Sequence, residues 1–269
     1  MTGREESIAA IICAAGSSTR MDGKKKEFES LPSDGSRKDI QSVLGASVSA
    51  FASLPEISPI VIVLPEHEKE EDRARFSGAI MEELRLIDPL CNPASIGKMP
   101  GEEPRRILFA RGGASRRISV HNALSFLETF NPSYALIHDG ARPWINESLV
   151  RRVIAAMRQY GAAIPGLPLI ETPKELEGPL AQGREEEAVN FIKRHLRRAD
   201  ICAAQTPQGF RFKEILRAHE MAAVREKKEA FEYTDDAEVW AEFIGKVAVI
   251  PGDVENRKIT YLADLGKAK

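Results

Sequence analysis

A loop of small and cationic residues follows the first apolar segment of the chain. It contains Ala14, Ala15, Gly16, Ser17, Ser18 and Arg20, and Lys26 stands a few positions later. Small residues let backbone N–H groups approach an anion closely, hydroxyls add donors, and arginine and lysine neutralise phosphate charge. The loop has neither the three-glycine dinucleotide fingerprint nor the Gly-Lys-Ser/Thr of a P-loop. We interpret it as a triphosphate-binding loop, with an ordinary strand-to-helix turn as the alternative.

A second candidate site stands where another apolar segment ends, in the run His138-Asp139-Gly140-Ala141-Arg142-Pro143. In an open α/β sheet, ligands bind outside the carboxyl ends of the strands. Asp139 is therefore placed to bind Mg²⁺ through carboxylate oxygens, although it could instead cap the next turn and pair with Arg142. No Gly-x-Ser-x-Gly motif accompanies His138, so we expect a supporting, hydrogen-bonded role for that histidine.

The elements that must position these residues alternate along the chain between apolar β-forming segments and helical patterns. The predicted strands are Ile8–Ala14, Pro59–Leu64, Arg106–Arg111, Tyr134–Asp139, Ala162–Leu167 and Lys246–Ile250. The predicted helices are Ile40–Ala52, Glu66–Leu86, Ser115–Phe130, Glu147–Tyr160, Phe212–Lys227 and Asp235–Phe243. Continuous apolar runs are typical of parallel strands buried on both faces. The expected fold is a single α/β domain over residues 1–269, with a Rossmann-like, mostly parallel sheet covered by helices on both faces.

One segment, residues 170–198, interrupts this alternation because it is charged and rich in proline and glycine. Its pieces Glu171–Leu176 and Ala188–Lys193 flank a turn-rich centre and are predicted to pair as a protruding β-arm. Such an arm has too little core to be stable alone. The expected partner is a second copy of the chain, which predicts a homodimer.

Composition narrows the classes of partner. The 269 residues include 38 basic and 40 acidic side chains, so no basic excess favours nucleic-acid binding. Cys13, Cys91 and Cys202 are an odd number and lie far apart, which argues against a disulfide framework and for a reducing compartment. The first apolar run is far shorter than the roughly 20 residues that span a bilayer. We expect a cytoplasmic protein that binds small molecules and neither nucleic acid nor membrane.

Seven motifs in order resemble the 2-C-methyl-D-erythritol 4-phosphate cytidylyltransferase family. They are the first loop, Arg111-Gly112-Gly113 with Arg116 and Ser119, His138–Pro143, Glu171–Lys174, Gln205–Phe210, Thr234–Ala237 and Asn256–Thr260. The resemblance runs from Ile8 to Leu265. It implies a Rossmann-like sheet that binds CTP and Mg²⁺, a β-arm that reaches the other subunit of a homodimer, and a step of non-mevalonate isoprenoid precursor synthesis.

The resemblance also implies a role for each matching residue. Arg20 and Lys26 correspond to the pair that stabilises the triphosphate in the transition state, and the backbone of Ala14, Ala15, Gly16, Ser17 and Ser18 to its cradle. Gly112, Gly113, Ser119 and Gly140 correspond to the cytidine site, and Asp139 to the Mg²⁺ ligand. Thr172, Arg198, Thr206, Thr234 and Lys258 correspond to the sugar-phosphate site, where Arg198 and Lys258 orient the attacking phosphate and Arg142 is expected to contribute.

The chemistry of the implied reaction agrees with this choice of residue types. When a phosphate monoester attacks the α-phosphorus of a nucleotide, two anions meet and pyrophosphate leaves, so a ring of cations is the main requirement. A general base is not required, because a phosphate monoester has a second pKa of roughly 6 and is already ionised near neutral pH. Basic residues, rather than a histidine or a cysteine, are therefore expected to mark the site.

The sequence departs from the family pattern at the first loop and after the glycine pair. The lysine usually stands between proline and glutamine, but here Lys26 follows Lys24 and Lys25, so Lys25 is the alternative for its role. Ala114 stands where the family often has an acidic residue. The stretches 29–39 and 72–105 are longer than is typical, and we assign them no function.

Three other functions are alternatives to a methylerythritol phosphate cytidylyltransferase. Ribitol 5-phosphate cytidylyltransferases share the fold and mechanism but tend to carry Leu-Ala-Gly-Gly in the first loop, whereas Ala14-Ala15-Gly16-Ser17 favours methylerythritol phosphate. A non-catalytic nucleotide-binding protein could use the same fold, but Arg20, Lys26, Asp139, Arg198 and Lys258 are all present. A dinucleotide oxidoreductase needs the glycine fingerprint and an acidic residue where Leu64 and Pro65 stand.

Two further groups of residues have simpler interpretations than a role in the site. Asp235, with Glu238 three residues later, is predicted to cap a helix, so Thr234 could belong to the cap as well as to the substrate site. His67, His121, His195 and His219 lie on helical or charged stretches, and we expect all four at the surface.

Overall fold

The computed structural model describes residues 6–16, 25–32, 39–65, 76–92, 106–178, 189–229 and 231–266. Three predicted site residues, Ser17, Ser18 and Arg20, lie outside the described residues, as does the first part of the predicted helix Glu66–Leu86.

Most of the strands form one mixed sheet. The strands are β1 Ile8–Cys13, β2 Ile57–Leu64, β3 Ile107–Arg111, β4 Tyr134–Asp139, β5 Ala162–Pro168, β6 Lys174–Leu176, β7 Ile192–His195, β8 Cys202–Ala204, β9 Gln208–Arg211 and β10 Ala248–Pro251. The sheet has the order β10-β5-β9-β4-β1-β2-β3, and β8 pairs with β5. β1 runs parallel to β2 and β4, β2 to β3, and β5 to β10. The predicted α/β class with a mostly parallel sheet is confirmed.

Six α-helices connect these strands within the described residues. They are α1 Val43–Ala52, α2 Met81–Ile87, α3 Arg116–Leu127, α4 Glu147–Tyr160, α5 Phe212–Lys228 and α6 Asp236–Phe243. Ser42, Ser115, Asn146 and Asp235 precede α1, α3, α4 and α6, and each accepts a backbone N–H from the first turn through its side chain. These bonds satisfy donors that have no partner inside a helix. The cap predicted at Asp235 is confirmed.

The sheet has a hydrophobic core on each face. Along β1, Ile8, Ala10 and Ile12 pack into the core that contains α1, α2 and α4, whereas Ala9 and Ile11 pack into the core that contains α3, α5 and α6. Successive side chains of a strand point to opposite faces, so a strand covered on both sides must be apolar throughout. This requirement explains why the central strands were recognisable as continuous apolar runs.

One central strand, β9, was not predicted. It lies antiparallel between β4 and β5, although Gln208-Gly209-Phe210-Arg211 has no apolar run. Gly209 allows the close packing there, since an added Cβ would lie 2.7 Å from Met157 Sδ and 3.0 Å from Val153 Cγ1. Tertiary packing and pairing on both edges therefore hold a strand that local propensity does not favour.

The predicted arm has the expected pairing. β6 runs antiparallel to β7 in a two-stranded sheet separate from the main one. The second strand begins at Ile192, later than the predicted Ala188, and residues 179–188 lie outside the described residues. Ile170 and Phe191 leave 85% and 67% of their surface exposed on this arm.

No helix in the described part of the chain combines the length and the apolar character that crossing a bilayer requires.

Candidate active site

A cavity of about 530 Å³ lies at the carboxyl ends of β1, β3 and β4. Its wall is formed by residues of several loops and strand ends, among them Cys13, Gly16, Lys26, Glu27, Gly113, Arg116, Ser119, Asp139, Glu232 and Lys258. Parallel strands present their carboxyl ends at one edge of a sheet, which is where ligands of this fold class bind. The cavity lies at the edge where the sequence placed the site.

Asp139 is the centre of charge in this cavity. Its Oδ2 lies 3.2 Å from Arg142 Nε and 3.0 Å from Lys258 Nζ, while its Oδ1 lies 3.7 Å from Arg116 Nε. Burial raises the pKa of the Asp139 carboxyl, but Lys258, Arg116 and Arg142 outweigh burial and hold that pKa well below its usual range. Asp139 is therefore an ionised carboxylate.

The backbone of Asp139 is supported by two buried side chains. Its N–H donates to Thr206 Oγ1 over 3.1 Å, and Thr206 Oγ1 lies 3.0 Å from His138 Nδ1. Burial lowers the pKa of His138 to about 3, so the ring is neutral and carries one N–H. The Thr206 hydroxyl donates to Nδ1, and Nε2 donates to Arg142 O over 3.3 Å. The supporting role predicted for His138 is confirmed.

The loop after β10 is tied to the loop after β4. Arg142 Nη1 donates to Asn256 O over 2.8 Å, and Asn256 Nδ2 donates to Thr206 O over 2.7 Å. Asn256 is completely buried, so these contacts fix the loop. They explain how Lys258, far from Asp139 along the chain, comes to lie 3.0 Å from its carboxylate.

The glycine pair after β3 allows two loops to approach each other. A Cβ at Gly112 would lie 2.5 Å from Ala15 Cβ, and one at Gly113 would lie 2.2 Å from Ile118 Cγ2. Real Cβ atoms do not come so close, so side chains at these positions would push the loops apart. Gly113 N donates to Ser119 Oγ over 3.0 Å. Of the four predicted cytidine-site residues, Gly113 and Ser119 line the cavity, whereas Gly112 and Gly140 are not part of its lining.

The two lysines of the first loop occupy different places. Lys25 Nζ donates to Gly16 O over 2.5 Å, and the side chain is buried. Lys26 lines the cavity. This geometry favours Lys26 as the cation that faces a ligand. Lys25 instead stabilises the loop through its hydrogen bond to Gly16 O.

Of the six predicted substrate-site residues, Lys258 lines the cavity and Arg142 and Thr206 contact Asp139, but Arg198, Thr172 and Thr234 do neither. Arg198 Nη1 donates to Ile170 O over 2.5 Å, and both Arg198 and Thr172 are exposed near the arm. Thr234 is exposed, and its Oγ1 donates to Glu238 Oε2 over 2.8 Å. Arg198 and Thr172 thus belong to the region of the arm, whereas Thr234 belongs to the start of α6.

Comparison with known proteins assigns the chain to a family. Residues 8–269 match the profile of 2-C-methyl-D-erythritol 4-phosphate cytidylyltransferase. The chain belongs to this family. The resemblance of the seven motifs to this family is thus confirmed over nearly the whole chain. The cavity is lined by residues of several of these motifs.

Two kinds of curated relative match this chain, one of similar length and one that is longer and bifunctional. The 2-C-methyl-D-erythritol 4-phosphate cytidylyltransferase of Bacillus thuringiensis is 36% identical over 80% of this chain and 85% of its own length. The bifunctional enzyme IspD/IspF of Rhodospirillum rubrum is 33% identical over 97% of this chain, which spans 56% of that relative. The chain thus corresponds to little more than half of the bifunctional relative.

Solved structures of the family share the fold. The 2-C-methyl-D-erythritol 4-phosphate cytidylyltransferase of Thermus thermophilus superposes with a TM-score of 0.61, 26% identity and coverage of 98% of this chain and 96% of that one. The 4-diphosphocytidyl-2C-methyl-D-erythritol synthase of Anaerococcus prevotii gives 0.68, 23% identity and coverage of 97% and 93%. The second likeness concerns the fold alone.

Arg116 and Asp236 belong to the family motifs but were given no role, and His219 lies outside the motifs; the three form a cluster at the cavity wall. Arg116 Nη1 lies 2.8 Å from Asp236 Oδ2, and Asp236 Oδ1 lies 3.2 Å from His219 Nε2. His219 is completely buried, so the prediction that it lies at the surface was wrong. Its helical neighbours Leu216 and Ala222, three residues away on either side, are buried too, and this spacing could have placed His219 on the inner face of α5.

Cys13 lies in the cavity wall but does not act as a nucleophile there. Burial raises the pKa of its thiol to about 12, so the reactive thiolate is not formed near neutral pH. A neutral thiol of this kind packs as a small apolar group.

Proposed function

We propose that this protein transfers CMP from CTP to 2-C-methyl-D-erythritol 4-phosphate in a Mg²⁺-dependent reaction that gives 4-CDP-2-C-methyl-D-erythritol and pyrophosphate. The observation that carries the proposal is the group of cations around ionised Asp139, in a cavity at the carboxyl edge of the sheet. Membership of the cytidylyltransferase family supports the choice of reaction.

The proposed step is a displacement at phosphorus. A phosphate oxygen of the acceptor forms a bond to the α-phosphorus of CTP, the bond from that phosphorus to the bridging oxygen breaks, and pyrophosphate leaves. Two anions must approach each other, so fixed positive charge near the α-phosphate stabilises the transition state. Lys26 and Lys258 are cations on the cavity wall that can supply this charge.

The residues present fit a Mg²⁺ ion held together with the nucleotide. Mg²⁺ takes oxygen ligands and is often bound by one or two carboxylates plus substrate phosphates and water. Ionised Asp139 supplies one such carboxylate. In the described parts of the chain, no three acidic, histidine or cysteine side chains are grouped closely enough to hold a metal by themselves. When bound, Mg²⁺ would neutralise charge on the phosphates of CTP.

We propose further that the protein is a homodimer whose arms exchange. Arg198 and Thr172 lie near an arm with exposed Ile170 and Phe191, and none of them lines the cavity of its own chain. An arm that crossed to the neighbour would cover this apolar surface and bring Arg198 to the other cavity. The apolar exposure and the missing sugar-phosphate residues are thus explained by the same contact.

The cytoplasm is the proposed location. Cys13, Cys91 and Cys202 are all free, which agrees with a reducing compartment.

Pyrophosphate release with CTP and Mg²⁺ tests the function directly. We expect turnover with 2-C-methyl-D-erythritol 4-phosphate, little with ribitol 5-phosphate, and none after EDTA removes the divalent cation. Equal or faster turnover of ribitol 5-phosphate would contradict the acceptor. Binding of CTP without pyrophosphate release from either acceptor would favour a non-catalytic nucleotide-binding protein.

A further inference from the structure

The guanidinium of Arg116 lies between two carboxylates but is bound to one of them. Its Nη1 lies 2.8 Å from Asp236 Oδ2, which is a close ion pair. Its Nε lies 3.7 Å from Asp139 Oδ1, which is too far for a hydrogen bond. Arg116 therefore pairs with Asp236 and only approaches Asp139.

The Asp236 carboxylate is buried and contacts side chains of two other helices. Asp236 is the first residue of α6, where the helix dipole favours an anion, and only 1% of its surface is exposed. His219, completely buried in α5, places Nε2 3.2 Å from Asp236 Oδ1. The carboxylate is thus fixed between two helices.

The two oxygens of Asp139 have different surroundings. Oδ2 contacts both Arg142 and Lys258, whereas Oδ1 faces Arg116 beyond hydrogen-bond distance. An arginine that moved in to form a paired contact with Oδ1 would neutralise this carboxylate strongly, because arginine–carboxylate pairs are among the strongest in proteins. Any cation that arrives with a nucleotide would then compete with Arg116.

We propose that Asp236, fixed by His219, is a positioning residue that keeps the Arg116 guanidinium away from Asp139 and so leaves Oδ1 of Asp139 available to a divalent cation bound with the nucleotide. The part of this inference that concerns the cation rests on the function proposed above. The part that concerns the position of Arg116 does not.

The neighbouring Arg117 provides a matched control. Its Nε lies 2.6 Å from Glu226 Oε2, and its Nη1 donates to His219 O over 3.3 Å. The Arg117–Glu226 ion pair joins α3 to α5 and is largely buried, but neither Arg117 nor Glu226 lines the cavity. Glu226→Gln therefore removes a comparable ion pair without touching Arg116.

A crystal structure of the Asp236→Asn variant tests the position of Arg116 without reference to activity. We expect a guanidinium nitrogen to move to about 2.9 Å from Asp139 Oδ1, the length of a charged hydrogen bond. The Glu226→Gln variant should leave Arg116 in place. An Arg116 that keeps its position in Asp236→Asn overturns the proposal, whatever reaction the protein catalyses.

The Mg²⁺ dependence of pyrophosphate release tests the consequence. Loss of the charged contact in Asp236→Asn should raise the Mg²⁺ concentration for half-maximal rate about tenfold. Glu226→Gln should not change it. Adding Arg116→Gln to Asp236→Asn removes the competitor and should bring the Mg²⁺ requirement back towards the wild-type value. A rise that persists in the double variant would show a merely structural role and overturn the proposal.

Circular dichroism melting establishes that each variant is folded. If Asp236→Asn does not fold, Asp236→Glu keeps the charge and moves the carboxylate by one methylene. We then expect the same direction of change in both the Arg116 position and the Mg²⁺ requirement, and no change in either would overturn the proposal. A wild-type protein that releases no pyrophosphate would contradict the proposed function, and the Arg116 position would still decide the positioning inference.

Discussion

The cavity and the arm both present cations, but they hold them in different ways. Beside the cavity, Arg142 contacts Asp139 and the carbonyl of Asn256, and only 11% of its side chain is exposed. On the arm, Lys193 and Arg194 pair with Glu175 while 63% and 69% of their side chains stay exposed. Arg142 is therefore held by buried contacts, whereas the cations of the arm are held by exposed ion pairs.

The difference follows from what lies beneath each region. The cavity residues extend from a sheet with a core on both faces, so the packing has already fixed their backbone. The arm is a two-stranded sheet, which is marginally stable by itself. Exposed ion pairs add little, because ordering two long side chains costs entropy and water screens their attraction. A cation on such an arm becomes well placed only when the arm is covered.

The largest expected effect is at the centre of the cavity. Asp139→Asn removes the carboxylate around which three cations are arranged, and we expect kcat for pyrophosphate release to fall by roughly 10³, the upper range for loss of one fixed electrostatic group. Glu175→Gln is the matched control, because it removes a carboxylate that also contacts two cations but lies on the arm. Normal turnover in Asp139→Asn would exclude this carboxylate from the reaction.

Mixing two inactive variants tests whether the arm completes the neighbour's cavity. Lys26→Ala and Arg198→Ala should each lower kcat by roughly 10²–10³, because each removes one cation from every site. If the arm crosses, each mixed dimer has one site with both changes and one with neither. About a quarter of wild-type activity should then return after random reassortment of subunits.

The control for this experiment is the composition of the mixture. Native mass spectrometry should detect the mixed dimer at about half of all dimers, as two-fold reassortment requires. If mixed dimers are present and activity stays as low as in the parents, the arm folds back onto its own subunit, and the contrast between the two regions fails.

A smaller change is expected at the apolar surface of the arm. Phe191→Ser should raise the dissociation constant of the dimer by about 10–100-fold, because burying such a side chain is worth about 1.5–3 kcal/mol. Sedimentation equilibrium measures this constant. Leu86→Ser is the control, since Leu86 is similarly exposed on α2 at 64%. Equal effects of the two substitutions would mean that Phe191 has no special place in the contact.

The smallest effect is expected from an ion pair of the arm. Glu175→Gln should lower the free energy of unfolding only slightly, because both of its cationic partners are exposed. The difference should vanish in 1 M salt, where the Debye length is about 3 Å. Urea unfolding at low and high salt measures it. A loss that high salt does not remove would show that the pair is shielded from solvent, contrary to the exposed arm described here.

Much of the sheet could be predicted because burial leaves a local pattern. β1, β2 and β4 are apolar throughout since both faces are covered, and their predicted and observed bounds agree closely. β9 could not be predicted in this way. Its four residues carry no pattern of their own, and it exists because β4 and β5 leave room for a strand between them.

The candidate site likewise has one part that the sequence predicted and one part that only the structure showed. The sequence alone determined that Asp139 ends a buried strand at the edge where ligands bind, and that small residues and cations stand near it. Motif order was enough to identify Lys258 as a member of the site. Choosing between the two lysines of the first loop required the structure, since Lys25 contacts Gly16 and Lys26 lines the cavity.

The sequence by itself thus determined the layers of this protein, the edge of the sheet that carries its chemistry and the kinds of residue found there. Only the tertiary structure decided which side chains meet: Arg116 and Asp236 lie on different helices, and buried His219 comes from a third. Periodicity reports whether a residue is buried, because burial repeats with each turn or alternate residue. It carries no record of which distant residue lies opposite, since that depends on how all the elements pack together.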